Sequence, residues 1–428
     1  MQHEKNISHR GEIIKNYTGG VAGQRAGEKE IMKIKVDTLN NILAKVNAAV
    51  GSEDQLRFRF FPMTQGEQVV NVCEFLAYSK GLQVMQMVPY SGKAVTDKET
   101  VFVVKASAFT GIIRSYLALG IEDVTIEADG TVLVIKNASG QATLPTTSTM
   151  PVIDMSETQK GAAWQVLVNT KEIGTAVRNV AATIGAGADA TNGIYFSATE
   201  SGYRLLTTNT YSGSSSSVKG EFKPMTKEAK TKDFFVAGGL QKALAVLKGE
   251  QLNLVVAAKY LIIKDGEGTF AVIALNESEF PKDAMLKIMT NASEPTSLPE
   301  TFIVKAKKSV IEAAISLAEV TDPDKVKTLT LTATQMGEKA ELVTGTDTNP
   351  QTVRADVSIV SADVKAAKLS LGTAIFRTVL GNAGDDVKLR FTSGYVLIYD
   401  GNSEAPLSWA FKRNTTPKKE EAEANKEG

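Results

Sequence analysis

Residues able to carry covalent or metal chemistry are scarce in this chain, and their placement limits what it can do. The two histidines, His3 and His9, both fall in the polar, glycine-rich stretch that ends near Glu30. The rest of the chain has none, which removes serine–histidine–aspartate, cysteine–histidine and histidine-ligated metal chemistry together. A single cysteine, Cys73, excludes an internal disulfide and every cysteine-cluster metal site. Its neighbours Val72 and Phe75 mark it as a buried structural thiol. No Asp/Glu group has metal-ligand spacing, and Gly185-Ala-Gly-Ala188 is a loop rather than a phosphate cradle. The expectation is no enzyme activity, no cofactor and no metal.

What remains is the chemistry of point charges. Amphipathic periodicity places Lys45, Arg114, Lys171, Arg178 and Lys242 on the solvent flanks of helices, with Lys248, Lys307, Lys308 and Arg377 in equivalent places. Cations dominate this set although Lys+Arg and Asp+Glu are both 48 in the whole chain. Contacts to nucleic-acid phosphates need only a cation at the right place, so local placement can do what net charge does not.

The helices that hold these cations recur. Helix starts are expected near Asp37, Asn169 and Lys307, about 135 residues apart, a domain-sized interval. Asp37 or Thr38, then Ser107, then Asn169 or Thr170 are the expected caps. Lys307 and Lys308 would occupy a first helical turn, the wrong end of the dipole for cations. Each interval ends in a hairpin: Glu122–Asn137, Glu250–Asp265 and Asp385–Asp400 align without gaps. Val124, Leu252 and Val387 share a column, as do Ile126, Leu254 and Leu389. The second strands read Val132-Leu-Val-Ile135, Tyr260-Leu-Ile-Ile263 and Tyr395-Val-Leu-Ile398. Asp129-Gly130 and Ser393-Gly394 supply turn glycines, while Ala257-Ala258 makes the weakest reversal.

The resulting expectation is an α+β chain of three tandem copies of one domain, two helices on paired antiparallel sheets, which could join edge to edge into an arc, half of a ring if closed by a two-fold. The copies span 31–155, 162–290 and 300–414, with a disordered extension at 1–30 and a charged tail at 415–428. Pro145–Lys160 and Phe280–Pro299 read as linkers. A length of 428 residues, 43% apolar and 22% charged, fits a multidomain globular protein. No apolar run approaches the roughly 18 residues of a membrane span, and the N-terminus lacks a signal-peptide core. A cytoplasmic, reducing setting is therefore expected.

Residues Met32 to Arg413 resemble the bacterial DNA sliding clamp, the β subunit of DNA polymerase III, in a phage-type or otherwise divergent form. The marks are Met32-Lys-Ile-Lys-Val36, Val124-Thr-Ile-Glu127, Gln141-Ala-Thr-Leu-Pro145, Thr191-Asn-Gly-Ile194 and Ser278-Glu-Phe-Pro281. Such clamps begin at the position of Met32, so the first 31 residues read as an addition. The resemblance implies a homodimeric ring of six similar domains that encircles double-stranded DNA and tethers the replicative polymerase, with no chemistry of its own. The nine cations above would line the hole. Short peptide motifs of DNA polymerase and clamp loader would dock at Thr191, Thr208, Pro281, Leu286, Leu407 and Phe411. The dimer edge would set Ala142 and Leu144 against Ile315 and Leu317 of a second copy. Two stretches depart from the family. Thr208-Asn-Thr-Tyr-Ser212 stands for threonine–aspartate–glycine–histidine–arginine, and Trp409-Ala-Phe-Lys412 for methionine–proline–methionine–arginine. The competing reading is a repetitive β-rich structural protein of a virion or surface, which would assemble without DNA.

Overall fold

A computed structural model describes residues 30–412, except 52, 66–67, 80, 91–99, 130, 148, 156–157, 159–161, 187–189, 226–231, 294–301, 322–327, 337–338, 346–349, 363–365, 402 and 404. The expected extension with His3 and His9 and the expected tail lie outside the described residues, Glu30 apart. The chain opens with β1 (Glu30–Lys35), α1 (Val36–Val46), β2 (Gln55–Gln65), β3 (Gln68–Ser79), β4 (Leu82–Pro89) and β5 (Thr100–Lys105). It continues with α2 (Ala106–Ala118), β6 (Asp123–Asp129), β7 (Val132–Asn137) and β8 (Gly140–Pro145). The same order returns in β9 (Trp164–Asn169), α3 (Thr170–Ala181), β10 (Ile194–Thr199), β11 (Gly202–Thr208) and β12 (Ser212–Pro224). Then come β13 (Phe234–Val236), α4 (Leu240–Val246), β14 (Gln251–Val256), β15 (Tyr260–Lys264), β16 (Thr269–Ala274) and a further helix, α5 (Lys282–Ser293). The last round is β17 (Phe302–Lys307), α6 (Lys308–Thr321), β18 (Thr328–Met336), β19 (Lys339–Gly345), β20 (Pro350–Ala362) and β21 (Ala366–Gly372). It closes with α7 (Thr373–Gly381), β22 (Asp386–Phe391), β23 (Tyr395–Asp400) and β24 (Ser408–Phe411).

The three hairpins share one register. Ile126 pairs with Ile135, Leu254 with Ile263, and Leu389 with Ile398. On the other side the same residues face Met32, Val166 and Val304 of the strand that opens each round. All nine side chains are 0% exposed. The next column repeats the rule: Val124, Leu252 and Val387 face Ile34, Val168 and Ala306. Alternation then sends the intervening residues to the opposite face.

A backbone bond locks each helix to its hairpin. The N–H of the first helical residue, Val36, Thr170 or Lys308, donates to the carbonyl of Glu122, Glu250 or Asp385 at 2.8, 3.0 and 2.8 Å. This satisfies one of the orphan donors at a helix N-terminus without a side-chain cap. The caps differ from expectation accordingly. α1 begins at Val36 with no side-chain cap, so neither Asp37 nor Thr38 fills that role. At α2 the carboxylate comes from elsewhere in the chain: Asp54 accepts from the Ser107 N–H at 2.9 Å and from its hydroxyl. Only Asn169 caps as expected, accepting from the N–H groups of Lys171 and Glu172.

The chain forms two compact units. One comprises the described residues up to Gly174 with Ala198–Tyr203 and Val218–Asn276; the other takes Thr175–Ser197, Arg204–Ser217 and the described residues from Glu277 onward. Residues 162–290 therefore contribute to both. In the first unit β1, β6, β7 and β8 make one antiparallel sheet in the order β1-β6-β7-β8. A second sheet runs from the Gly220–Pro224 part of β12 through β9, β14, β15, β16, β4, β3 and β2 to β5. Its seam is the antiparallel β16–β4 pair, Thr269↔Gln86 to Ile273↔Leu82. Helix α1 packs against β3 and β4 and also contacts α2 and α4.

In the second unit the Ser212–Ser214 part of β12 pairs with β24, and the sheet continues through β23, β22, β17, β20, β19 and β18 to β21. The β12–β24 pair repeats the rule of the seam: the last strand of a hairpin sheet joins a strand from the preceding round. Helix α6 packs on β17, β19 and β20. The expected linker Phe280–Pro299 instead carries α5 over Lys282–Ser293, because Met285, Ile288 and Met289 recur at helical spacing and are buried; its remainder from 294 lies outside the described residues. Strand β21 had no expected counterpart. No helix among the described residues is long and apolar enough to cross a membrane.

Two outcomes follow from this packing. Leu254→Ala removes a fully buried side chain at the centre of a shared register, and urea denaturation should show a loss of about 2–5 kcal/mol. Cys73 is buried, and burial followed by the Glu74 charge pushes its thiol well above the usual range. An alkylating reagent at neutral pH should leave it untouched until denaturant is added.

Candidate functional site

The expected cations divide into engaged and exposed groups. Lys45 is engaged: its ammonium donates to Glu267 Oε2 at 2.9 Å, Thr269 Oγ1 at 3.2 Å and Gln86 Oε1 at 3.3 Å. Its side chain is only 12% exposed, which corrects its placement on a solvent flank. Lys307 ends strand β17 rather than starting a helix, and pairs with Asp386 at 2.7 Å. The hydrogen bond to Asp386, reinforced by its charge, raises the Lys307 pKa. Lys308 does open α6, yet its ammonium reaches the carbonyls of Gly381 and Ala383 at 2.9 and 3.0 Å, at the C-terminal end of α7. The expected dipole penalty is thus offset by a favourable end of a neighbouring helix. Arg377 makes a two-pronged ion pair with Glu319, at 3.1 and 2.6 Å, and also reaches Ser316. Arg114, Lys171, Lys242 and Lys248 are exposed in the first unit and Arg178 is exposed in the second, where it donates to Thr175 Oγ1.

The six expected peptide-pocket residues all fall in the second unit. Thr208 and Thr191 are buried, Leu286, Leu407 and Phe411 half-buried, and Pro281 exposed. Three of them converge through backbone bonds. Ser212–Ser214 pairs with Ser408–Ala410, the Phe411 N–H donates to the Tyr211 carbonyl at 2.9 Å, and the Ser215 N–H donates to Leu407 at 2.8 Å. Thr208 closes the turn ahead of that pair, its hydroxyl donating to the Ser212 carbonyl and accepting from the Thr210 N–H. Thr191 holds a separate bend, its carbonyl accepting from the N–H groups of Gly185 and Gly193. Pro281 and Leu286 lie at the start of α5, anchored by Phe280 stacked on Tyr195 at 4.8 Å.

Both departures from the clamp pattern have physical consequences. Trp409 is fully buried and lies so close to Gly213 that a Cβ there would sit 2.4 Å from its ring, so the indole requires glycine on the facing strand. In the turn Asn209 Oδ1 accepts from Tyr211 N, Ser212 N and Ser212 Oγ. Thr210 is held at φ 72°, strained for a β-branched residue. The turn presents Tyr211 at 66% exposure beside Phe411, whose ring meets Tyr395 edge-on at 6.1 Å. Sequence reasoning noted the Tyr211 stretch only as a departure; strand register makes it a neighbour of Phe411.

The expected dimer residues need one correction. Ile315 is 0% exposed and belongs to the core under α6, so its side chain is committed within the chain. On the same helix Leu317 and Val320 are 45% and 83% exposed. Ala142 is half-buried and Leu144 buried on β8, whose partner in its sheet is β7.

No protein-family model matches the chain, and no characterised protein sequence matches it. Solved structures do. The DNA polymerase III β subunit of Pseudomonas aeruginosa superposes with a TM-score of 0.72 at 11% identity, covering 90% of this chain and 100% of that one. That of Caulobacter crescentus gives 0.69 at 14% identity over 90% and 100%. That of Thermotoga maritima gives 0.66 at 12% over 91% and 100%. The chain therefore has the sliding-clamp fold. More particularly, it has the α+β fold of bacterial DNA polymerase III β subunits, reached with a divergent sequence.

One consequence is measurable without any partner. Thr210→Gly relieves the positive φ, and its stability by urea denaturation should rise by about 1 kcal/mol, with the Asn209 bonds intact.

Proposed function

We propose that this protein is a DNA sliding clamp, a ring-forming processivity factor that tethers a polymerase to duplex DNA and catalyses no reaction. The observation that carries the reading is the superposition on the Pseudomonas aeruginosa β subunit along that protein's whole length. The chain's neutral balance suits this role. A closed ring is retained by topology, so phosphate contacts need only be weak and mobile.

The repeat suggests how a ring would close. β16 pairs with β4, and β24 pairs with β12. By the same rule β8 of one copy would pair with β20 of another, giving a two-fold symmetric, head-to-tail dimer. Helix α2 packs on β8 and α6 on β20, and each leaves apolar side chains exposed at its C-terminal end: Leu117 and Leu119, Leu317 and Val320. These side chains, with Ala142 and Leu144, are the proposed dimer contacts. The three-domain division at 31–155, 162–290 and 300–414 belongs to the same proposal.

Within this reading Arg114, Lys171, Arg178, Lys242 and Lys248 are the proposed phosphate contacts, because their exposed ammonium and guanidinium groups remain available. Partner peptides of a polymerase or clamp loader would dock around Thr208, Leu407 and Phe411, with Thr191, Pro281 and Leu286 completing the site. The aromatic pair Tyr211 and Phe411 would favour a partner segment with bulky apolar side chains.

Mass measurement in solution should give a dimer of the 45.8 kDa chain. After loading, the dimer should stay on nicked circular DNA and leave once the circle is linearised; equal retention on both would overturn the reading. The triple variant Lys171→Ala, Arg178→Ala, Lys242→Ala should flatten the salt dependence of DNA association by about 0.9 in log–log slope per lost phosphate contact.

A further inference from the structure

We infer that Lys45 is a positioning residue, the centre of a polar latch that fixes the β4–β16 seam and the helix α1 that packs beside it. The latch closes on itself. An ammonium has three donors, and Lys45 directs them to Gln86 Oε1, Glu267 Oε2 and Thr269 Oγ1. Thr269 donates its hydroxyl to Gln86 Oε1 at 2.6 Å. The Gln86 amide gives its two N–H donors to the carbonyls of Glu267 and Met87 at 2.9 and 3.2 Å. Each polar atom of the Gln86 side chain is thus used, and that residue is 5% exposed.

The residues of the latch come from opposite sides of the seam. Lys45 and Gln86 belong to α1 and β4, whereas Glu267 lies in the β15–β16 turn and Thr269 opens β16. That turn is held for the purpose by Asp265, which is 4% exposed. Its carboxylate accepts from the N–H groups of Glu267 and Thr269, both at 2.8 Å, and from the Lys248 N–H at 3.1 Å. Gly268 at φ +82° then carries its carbonyl to the Met87 N–H at 3.2 Å. Strand pairing alone fixes a seam in one direction, and leaves the helix above it free to tilt. A network centred on the buried, fully used Gln86 amide adds the second constraint, tying α1 to the β15–β16 turn.

This assignment sets Lys45 apart from the exposed cations. A cation with three protein acceptors and a side chain 12% exposed would have to break the latch to meet a phosphate. The seam part of the inference stands on the structure alone; only its DNA arm rests on the clamp reading.

The experiment compares Lys45→Met, Glu267→Gln and the double variant in the full-length chain. Lys45→Met keeps the aliphatic stem, and Glu267→Gln alters the 53% exposed end of the network, where folding is least at risk. Amide hydrogen exchange at Leu82–Gln86 and Thr269–Ile273 should quicken about tenfold in Lys45→Met. The double variant should quicken by less than the product of the two single effects, the mark of a shared interaction. The salt slope of DNA association should match that of the unaltered protein. Unchanged exchange with a slope lowered by about 0.9 would overturn the inference and return Lys45 to the phosphate contacts. Multiplicative single effects would also overturn it. If the unaltered protein fails to associate with DNA, the clamp reading falls, while the exchange data still decide the latch.

Discussion

The whole fold depends on one small constraint, repeated. A strand pairs with the hairpin that arrives about ninety residues later in sequence, and the first helical N–H after that strand bonds to the carbonyl just before the hairpin. Val36 to Glu122, Thr170 to Glu250 and Lys308 to Asp385 are the same bond in three settings. The bond fixes where the strand stops and the helix begins. The register fixes which residues turn inward, and a slip of one residue would expose Ile126, Leu254 or Leu389. Because both local and distant partners agree on one register, α1 starts without a side-chain cap, whereas α3 adds the Asn169 cap to the same bond.

Edges are the second theme. A hairpin sheet presents unpaired backbone groups along its last strand, which invites another strand. Here β16 meets β4 and β24 meets β12. The seams turn a liability into the means of joining one round to the next. Side chains then sharpen each seam: the Lys45 network at β4–β16, and at β12–β24 the fit of Trp409 over Gly213, with Ser215 reaching the Pro406 carbonyl.

Charge follows from this architecture. The chain is neutral overall, and several cations that sequence periodicity sets on helix flanks are used internally. Lys308 neutralises the carbonyl end of α7, Arg377 joins α7 to α6 through Glu319, and Lys45 holds a seam. Arg114, Lys171, Arg178, Lys242 and Lys248 remain exposed, as does Lys307 beside Asp386.

The sequence by itself determined the hairpins, their shared columns, the helix spacing and the absence of histidine beyond residue 9. Those are properties of local periodicity and residue type, and they survive any placement of the pieces. It misread Phe280–Pro299 as a linker because polar residues around Lys282 masked the Met285, Ile288 and Met289 stripe that burial makes decisive. It could not separate exposed from engaged cations. Lys45 and Lys171 look alike along the chain, and only the return of the 265–269 turn distinguishes them. Ile315 and Leu317 are likewise two residues apart on one helix, and the sheet beneath α6 decides which of them meets the core. Contacts between residues more than two hundred positions apart are settled by strand register, and register across a seam is a property of the assembled sheet.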